Sequence, residues 1–167
     1  MKKHFTKLDI VNAALLECGL NTIQDFGTES GKTSTNSELM YDLTYQQLLE
    51  KPVDWTFAKK ERSLDLTNDI PLDTLWKGVF QLPSDFVRFV KTNHTDFEIR
   101  SNGIYSQETT EFILTYIAFM PEASLPSTFI NALIFLLASR FAFTFKRDKN
   151  LKTDTDSWSK SYPRIIE

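Results

Sequence analysis

The sequence predicts an α+β protein: a helical bundle of about three main helices that carries a small inserted antiparallel β domain. Three observations predict it. Apolar residues recur at helical spacing near both ends, over 8–18, 39–49 and 129–143. Between them, residues 96–119 change to strand-like patterning around an Asn102-Gly103 turn signal. Prolines 52, 121 and 126 mark the borders between the two regimes. The helical body is expected at about 7–52 and 126–160, and the β subdomain at about 55–120, within a single domain.

Thr6-Lys-Leu-Asp9 has the form of a capping box. Leu8, Val11, Ala14, Leu15 and Cys18 then share one helical face, and Gly19 suits the position just past a helix end. The first helix is expected over 7–18. Thr35-Asn-Ser-Glu38 repeats the capping pattern and opens a second helix, which Pro52 stops at about Lys51. This helix is apolar on two sides, Tyr41, Tyr45, Leu48 and Leu49 against Leu39, Met40 and Leu43, so it is expected between two packing surfaces.

Trp55 and Phe57 alternate as if entering a strand. Residues 63–75 alternate weakly, with turn signals at Asn68-Asp-Ile-Pro71. The stretch Trp76 to Val90 sets aromatic residues on both sides of Leu82-Pro83-Ser84-Asp85. Pro83 restrains Leu82 to extended backbone, and Ser84 and Asp85 suit a turn. This turn is expected to set the angle between helical body and β part, with Trp76 and Phe86 packed at the joint. A hairpin is expected around Asn102-Gly103, and Glu111 to Phe119 reads as a strand covered on both faces. Pro126 opens a third helix, Ser127 to Lys146, with apolar residues on nearly all sides.

Composition bounds the function. With 22 acidic and 19 basic residues the net charge is −3, which gives no global drive toward nucleic acid. The one cysteine, Cys18, excludes an internal disulfide framework and fits a buried thiol in a reducing compartment. No secretory signal pattern opens the chain, since Asp9 and Asn12 interrupt the first apolar run. The most membrane-like stretch, Phe129 to Phe145, is shorter than the ~20 residues of a span and contains Arg140, so a buried helix is expected and no membrane partner. Fourteen phenylalanines exceed what a small monomer readily hides, which points to a partner surface.

No catalytic, cofactor or metal set is expected. Gly27-Thr-Glu-Ser-Gly-Lys-Thr33 resembles a phosphate loop but encloses three residues where that motif needs four. His4 and His94 lack companions at ligand spacing. Ser84, Asp85 and His94 would need to converge to act as a hydrolytic trio, and nothing in their spacing supports it. Asp154 and Asp156 fit a solvated tail. Lys59, Lys60 and Arg62 form a small basic cluster that suits either a protected strand edge or a nucleic-acid contact.

The order of motifs resembles one family, the tail tubular protein A family, the head-to-tail connectors of short-tailed bacteriophages. The matching segments are Ala14-Leu-Leu-Glu-Cys-Gly19, Tyr41-Asp42, Leu48-Leu49 and Trp55-Thr-Phe-Ala58. Trp76 with Gln81-Leu-Pro-x-Asp85, Phe97-Glu-Ile99, Leu114-x-Tyr-Ile117 and Pro126 to Ala138 complete them. Pro52 precedes Trp55 by two more residues than is usual there. The resemblance covers about residues 8–145. It implies a helical bundle with a small β domain, assembled as a homo-oligomeric, twelve-fold ring in the virion neck and made in the host cytoplasm. Its upper side would bind the portal protein and its lower side the tail nozzle protein. Tail fibre or accessory ring proteins would sit at the rim, and DNA would pass through with non-specific contacts. The structural and interface candidates are Tyr41, Tyr45, Trp55, Phe57, Trp76, Leu82, Pro83, Asp85, Phe129, Leu133, Leu137 and Phe141. Two other readings are a nucleic-acid-binding module built on Lys59, Lys60 and Arg62, and a small tail-associated hydrolase using Asp85 and Glu98.

Overall fold

The computed structural model describes residues 5–27 and 32–146. His4, the centre of the glycine loop and the tail from Arg147 with Asp154, Asp156 and Trp158 lie outside the described residues. The chain divides into two compact units. One combines the segments up to Val53 and from Met120; the other is Asp54–Phe119.

The first unit holds α1 (Lys7–Glu17), α2 (Lys32–Glu50) and α3 (Ser127–Phe141), with a π-helical stretch Ala142–Lys146 after α3. The capping box forms: the Asp9 N–H donates to Thr6 Oγ1 at 3.2 Å, and the Thr6 N–H donates to the Asp9 carboxylate at 2.9 Å. Two amide donors that a helix start leaves orphaned are thereby satisfied. At the other end Gly19 takes a left-handed φ of 62°. This lets its N–H reach Leu16 O at 2.8 Å and the Leu20 N–H reach Leu15 O at 2.9 Å, a Schellman stop.

α2 begins three residues before the expected Thr35 cap, so that capping box is not its start. Its buried stripe explains why. Ser34, Ser37, Tyr41, Thr44, Tyr45, Leu48 and Leu49 fall at helical spacing and are all buried. Ser34 Oγ donates to Asp25 O at 2.5 Å, a contact that belongs to the turn upstream of Thr35. The core is built from Ile10, Val11, Ala14 and Leu15 of α1 against Phe129, Leu133, Leu137 and Phe141 of α3, with Tyr45 edge-on to Phe129 at 5.6 Å. The Cys18 thiol is buried between Ala14 O and Ala138 O, at 3.2 and 3.0 Å. Arg140 donates from α3 to Thr44 Oγ1 at 2.8 Å and to Gln47 of α2.

In the second unit, Trp55 leads into a 3-10 turn, Thr56–Ala58, and not into an extended strand. Trp55 is buried and meets Phe57 edge-on at 6.1 Å. Six antiparallel strands follow. β1 (Lys59–Leu64), β6 (Phe112–Ala118) and β3 (Phe86–Thr92) form one sheet in the order β1-β6-β3. β2 (Gly78–Phe80), β5 (Gly103–Ser106) and β4 (Phe97–Arg100) form the other in the order β2-β5-β4. Beyond β1 the chain runs on to border β2. Leu66 bridges to Phe80, the Thr67 N–H donates to Val79 O at 2.8 Å, and the Gln81 N–H donates to Asp65 O at 3.1 Å. A single bent stretch thus edges both sheets.

The core of this unit centres on Phe112. Its ring lies 5.1 Å from Phe80, 6.0 Å from Phe97 and 4.5 Å from His94. The expected hairpin forms between β4 and β5, with Gly103 at φ 156°. A Cβ on Gly103 would sit 2.8 Å from Phe80 O and 2.9 Å from Val79 Cγ1. Glycine is therefore needed both for conformation and for the approach of β2.

These sheets correct the predicted fold class. Three α-helices share the described residues with six strands in two sheets, so the chain is a mixed α+β fold and not a helical bundle with a small insert. The strands are three to seven residues long. Such short elements leave little periodicity in sequence, yet their aromatic side chains build a separate core. The Trp76–Val90 stretch falls within the expected β part. It lies wholly inside the β unit, where Leu82–Asp85 carries the chain from β2 in one sheet to β3 in the other.

Candidate functional site

Asp85 links several strands of the β unit through its polar atoms. One carboxylate oxygen accepts from Lys60 Nζ on β1 at 2.7 Å; the other accepts from the Tyr116 hydroxyl on β6 at 2.9 Å. Its main-chain carbonyl accepts the Phe119 N–H at 2.8 Å. The carboxylate just before β3 therefore ties that strand to β1 and β6, a long-range role beyond the local turn expected of it. Pro83 is buried, and its carbonyl closes the turn by accepting the Phe86 N–H at 3.0 Å. Burial opposes ionisation of Asp85, but the hydrogen bonds from Lys60 and Tyr116 outweigh it and hold the carboxyl below its ordinary range. The Tyr116 phenol is pushed up by burial and by the carboxylate it serves.

His94 is buried inside the two-sheet core, at 4 % exposure. Its Nε2 lies 3.1 Å from Glu111 O, which can only accept, so Nε2 carries a hydrogen. Its Nδ1 lies 3.0 Å from Ser106 Oγ, a hydroxyl that donates to Asp96 O at 3.3 Å. Ser106 also accepts the Glu108 N–H at 3.1 Å. This network ties β5 to the segment before β6. The trio Ser84, Asp85 and His94 is not assembled: His94 serves Ser106 and Glu111, and Asp85 serves Lys60 and Tyr116. Glu98 is exposed and bonded to Arg100 at 2.9 Å, and that bond lowers its carboxyl range. Asp85 and Glu98 are thus held in separate ion pairs. Among the described residues no three metal-ligating side chains gather.

The basic cluster lies on β1, whose first five residues are exposed at a sheet edge. Lys59 pairs with Asp54 at 2.7 Å and Lys60 with Asp85 at 2.7 Å. Two of its three charges are therefore offset within the chain, in keeping with a protected edge.

Most of the structural and interface candidates are buried within the chain. Tyr41, Tyr45, Trp55, Phe129, Leu133, Leu137 and Phe141 are each at most 1 % exposed. Tyr45 donates its hydroxyl to Met120 O at 2.5 Å and Tyr41 to Glu122 at 3.2 Å; burial pushes both phenols up. Phe57, Trp76, Leu82 and Asp85 are half-buried. The Trp76 indole N–H is buried without an acceptor among the described residues. The helical stretch Ser127–Phe145, α3 with the π-helical residues that follow it, is apolar and long enough to cross a membrane by length and composition, and half of it is buried inside the protein.

The exposed apolar residues lie elsewhere. In the first unit they are Leu39 and Leu43 on the second face of α2, Leu16 on α1, and Phe143. In the β unit they are Leu66, Ile70, Leu72 and Leu75, all on the connection from β1 to β2, and Phe119. The two-sided pattern of α2 was the legible signal for the first group. The second group alternates with aspartates, a pattern that reads as a solvated loop. The sequence matches no protein-family model and no curated protein.

Proposed function

We propose that this chain is a structural subunit of a head-to-tail connector ring, seated between the portal and the tail nozzle of a short-tailed phage and lining part of the DNA path. The single observation that carries this reading is the ordered set of motifs from Ala14-Leu-Leu-Glu-Cys-Gly19 to the Pro126 helix, which resembles that family across residues 8–145. Exposed apolar side chains support it. A head-to-tail ring joins one surface of each copy to a different surface of the next, and Leu39 and Leu43 offer one such surface. The role proposed is non-enzymatic, with the polar residues Asp85 and His94 engaged in holding strands together.

Mass photometry of the purified full chain, alone and mixed with the portal protein of the same virus, tests this reading. The expected result is a twelve-membered ring, formed alone or on the portal. Leu39→Ser combined with Leu43→Ser should abolish it while leaving the thermal unfolding of the subunit unchanged. A chain that forms no ring and does not bind portal would overturn the proposal.

A further inference from the structure

The connection from β1 to β2 presents four large aliphatic side chains to solvent. Ile70 is 88 % exposed and Leu72 fully so, and Leu66 and Leu75 are about half exposed. Soluble surfaces rarely gather such residues without a use for them. Carboxylates are interleaved with them: Asp65, Asp69 and Asp73 in the same segment, all exposed. The fold brings more acid to the same side. The Asp73 carboxylate lies 4.0 Å from Arg100, which also holds Glu98, and Gln107 donates both to Leu75 O and, through its N–H, to Asp96 O. Asp96 and Glu98 therefore border the segment, against Lys77 and Arg100.

We infer that residues 65–75 are an acidic, apolar docking segment, received by a basic groove with apolar pockets on a different protein. Charge complementarity selects that occupant. Two copies of this chain meeting at the segment would oppose like charges. This inference concerns the β unit alone and does not rest on the connector reading.

The test is selection of the immobilised full chain against a random dodecapeptide library, followed by fluorescence anisotropy with the enriched peptide. Enriched peptides should combine Lys or Arg with large apolar residues. Binding should weaken at least about tenfold on raising salt from roughly 50 to 300 mM, as screening of opposed charges requires. Ile70→Ser with Leu72→Ser should weaken it at least tenfold, and Asp69→Asn with Asp73→Asn should weaken it and flatten the salt dependence. All four side chains are exposed, so the variants should keep the parent's thermal unfolding. Neutral or acidic winners, or binding indifferent to both double variants, would overturn the inference. So would sedimentation showing that Ile70→Ser with Leu72→Ser dissociates a homo-oligomer, because the occupant would then be a second copy. Neither of these results would touch the portal-binding measurement.

Discussion

The helical unit and the β unit solve the same problem by different means. α1, α2 and α3 are each closed by their own hydrogen bonds and meet through continuous stripes, Val11 to Leu15, Tyr41 to Leu49 and Phe129 to Phe141. Their specificity resides in side-chain volume, with a few polar contacts such as Arg140 to Thr44 added. The β unit has short strands in two sheets, bordered by one continuous stretch from β1 to Thr67, and one edge strand with almost no buried residue. Its cohesion depends on a few particular atoms: the Asp85 carboxylate across three strands, His94 between Ser106 and Glu111, and the missing Cβ of Gly103. A stripe of apolar residues tolerates exchanges of similar volume. A polar clasp or a forced glycine does not, because one lost partner leaves a buried group unsatisfied or a backbone strained.

Substitutions can break this comparison. The largest effect is expected at Phe112, whose ring touches Phe80, Phe97 and His94. Phe112→Ala should cost ~3–5 kcal/mol in urea unfolding, about as much as any helical core position such as Leu133. Gly103→Ala should cost about 2–3 kcal/mol, from strain at positive φ together with a Cβ placed 2.8 Å from Phe80 O. The same exchange at an exposed helix site would be neutral or stabilising, so a small loss at Gly103 would remove the contrast between the units.

Asp85 comes next. Asp85→Ala should cost about 1–2 kcal/mol by leaving the Tyr116 hydroxyl and Lys60 without their acceptor. Its folded carboxyl titrates below the unfolded one, so its contribution is present above the unfolded value near ~4 and is lost as pH falls through the lower folded value. Urea midpoints measured across acid pH should fall less steeply for Asp85→Asn than for the parent. Equal slopes would mean that the clasp carries no charge-dependent stability. The smallest effect is expected in the helical unit. Thr6→Ala removes one half of the capping box of α1 and should lower stability by ~1 kcal/mol. A loss comparable to that at Gly103 would show that single polar contacts govern the helices as well.

The expectations that failed share a cause. The second capping box satisfied its pattern, yet α2 starts at Lys32, where the buried Ser34 and its bond to Asp25 O extend the packed stripe upstream. Trp55 and Phe57 alternated like a strand, but a 3-10 turn places both. Asp85 was assigned to its own turn, because its partners Lys60 and Tyr116 lie 25 and 31 residues away. Leu72 and Ile70 were passed over because alternation with aspartate resembles a loop whether or not anything binds it.

By itself the sequence determined what is local. Thr6 and Asp9 within one turn begin α1, Gly19 ends it, Asn102-Gly103 folds one hairpin, and the spacing of Tyr41, Tyr45, Leu48 and Leu49 selects one face of α2. Each of these depends on groups within a few residues of one another, so backbone sterics and short-range hydrogen bonds suffice. Only the tertiary structure decided which strands pair, that the stretch Asp65–Thr67 borders β2 after β1 has edged the other sheet, and that Asp85 and His94 join strands. It also decided which apolar residues stay outside. Strand pairing and burial are settled by contacts between residues far apart in the chain, and period-two patterning in strands of three or four residues is too brief to choose among the alternatives.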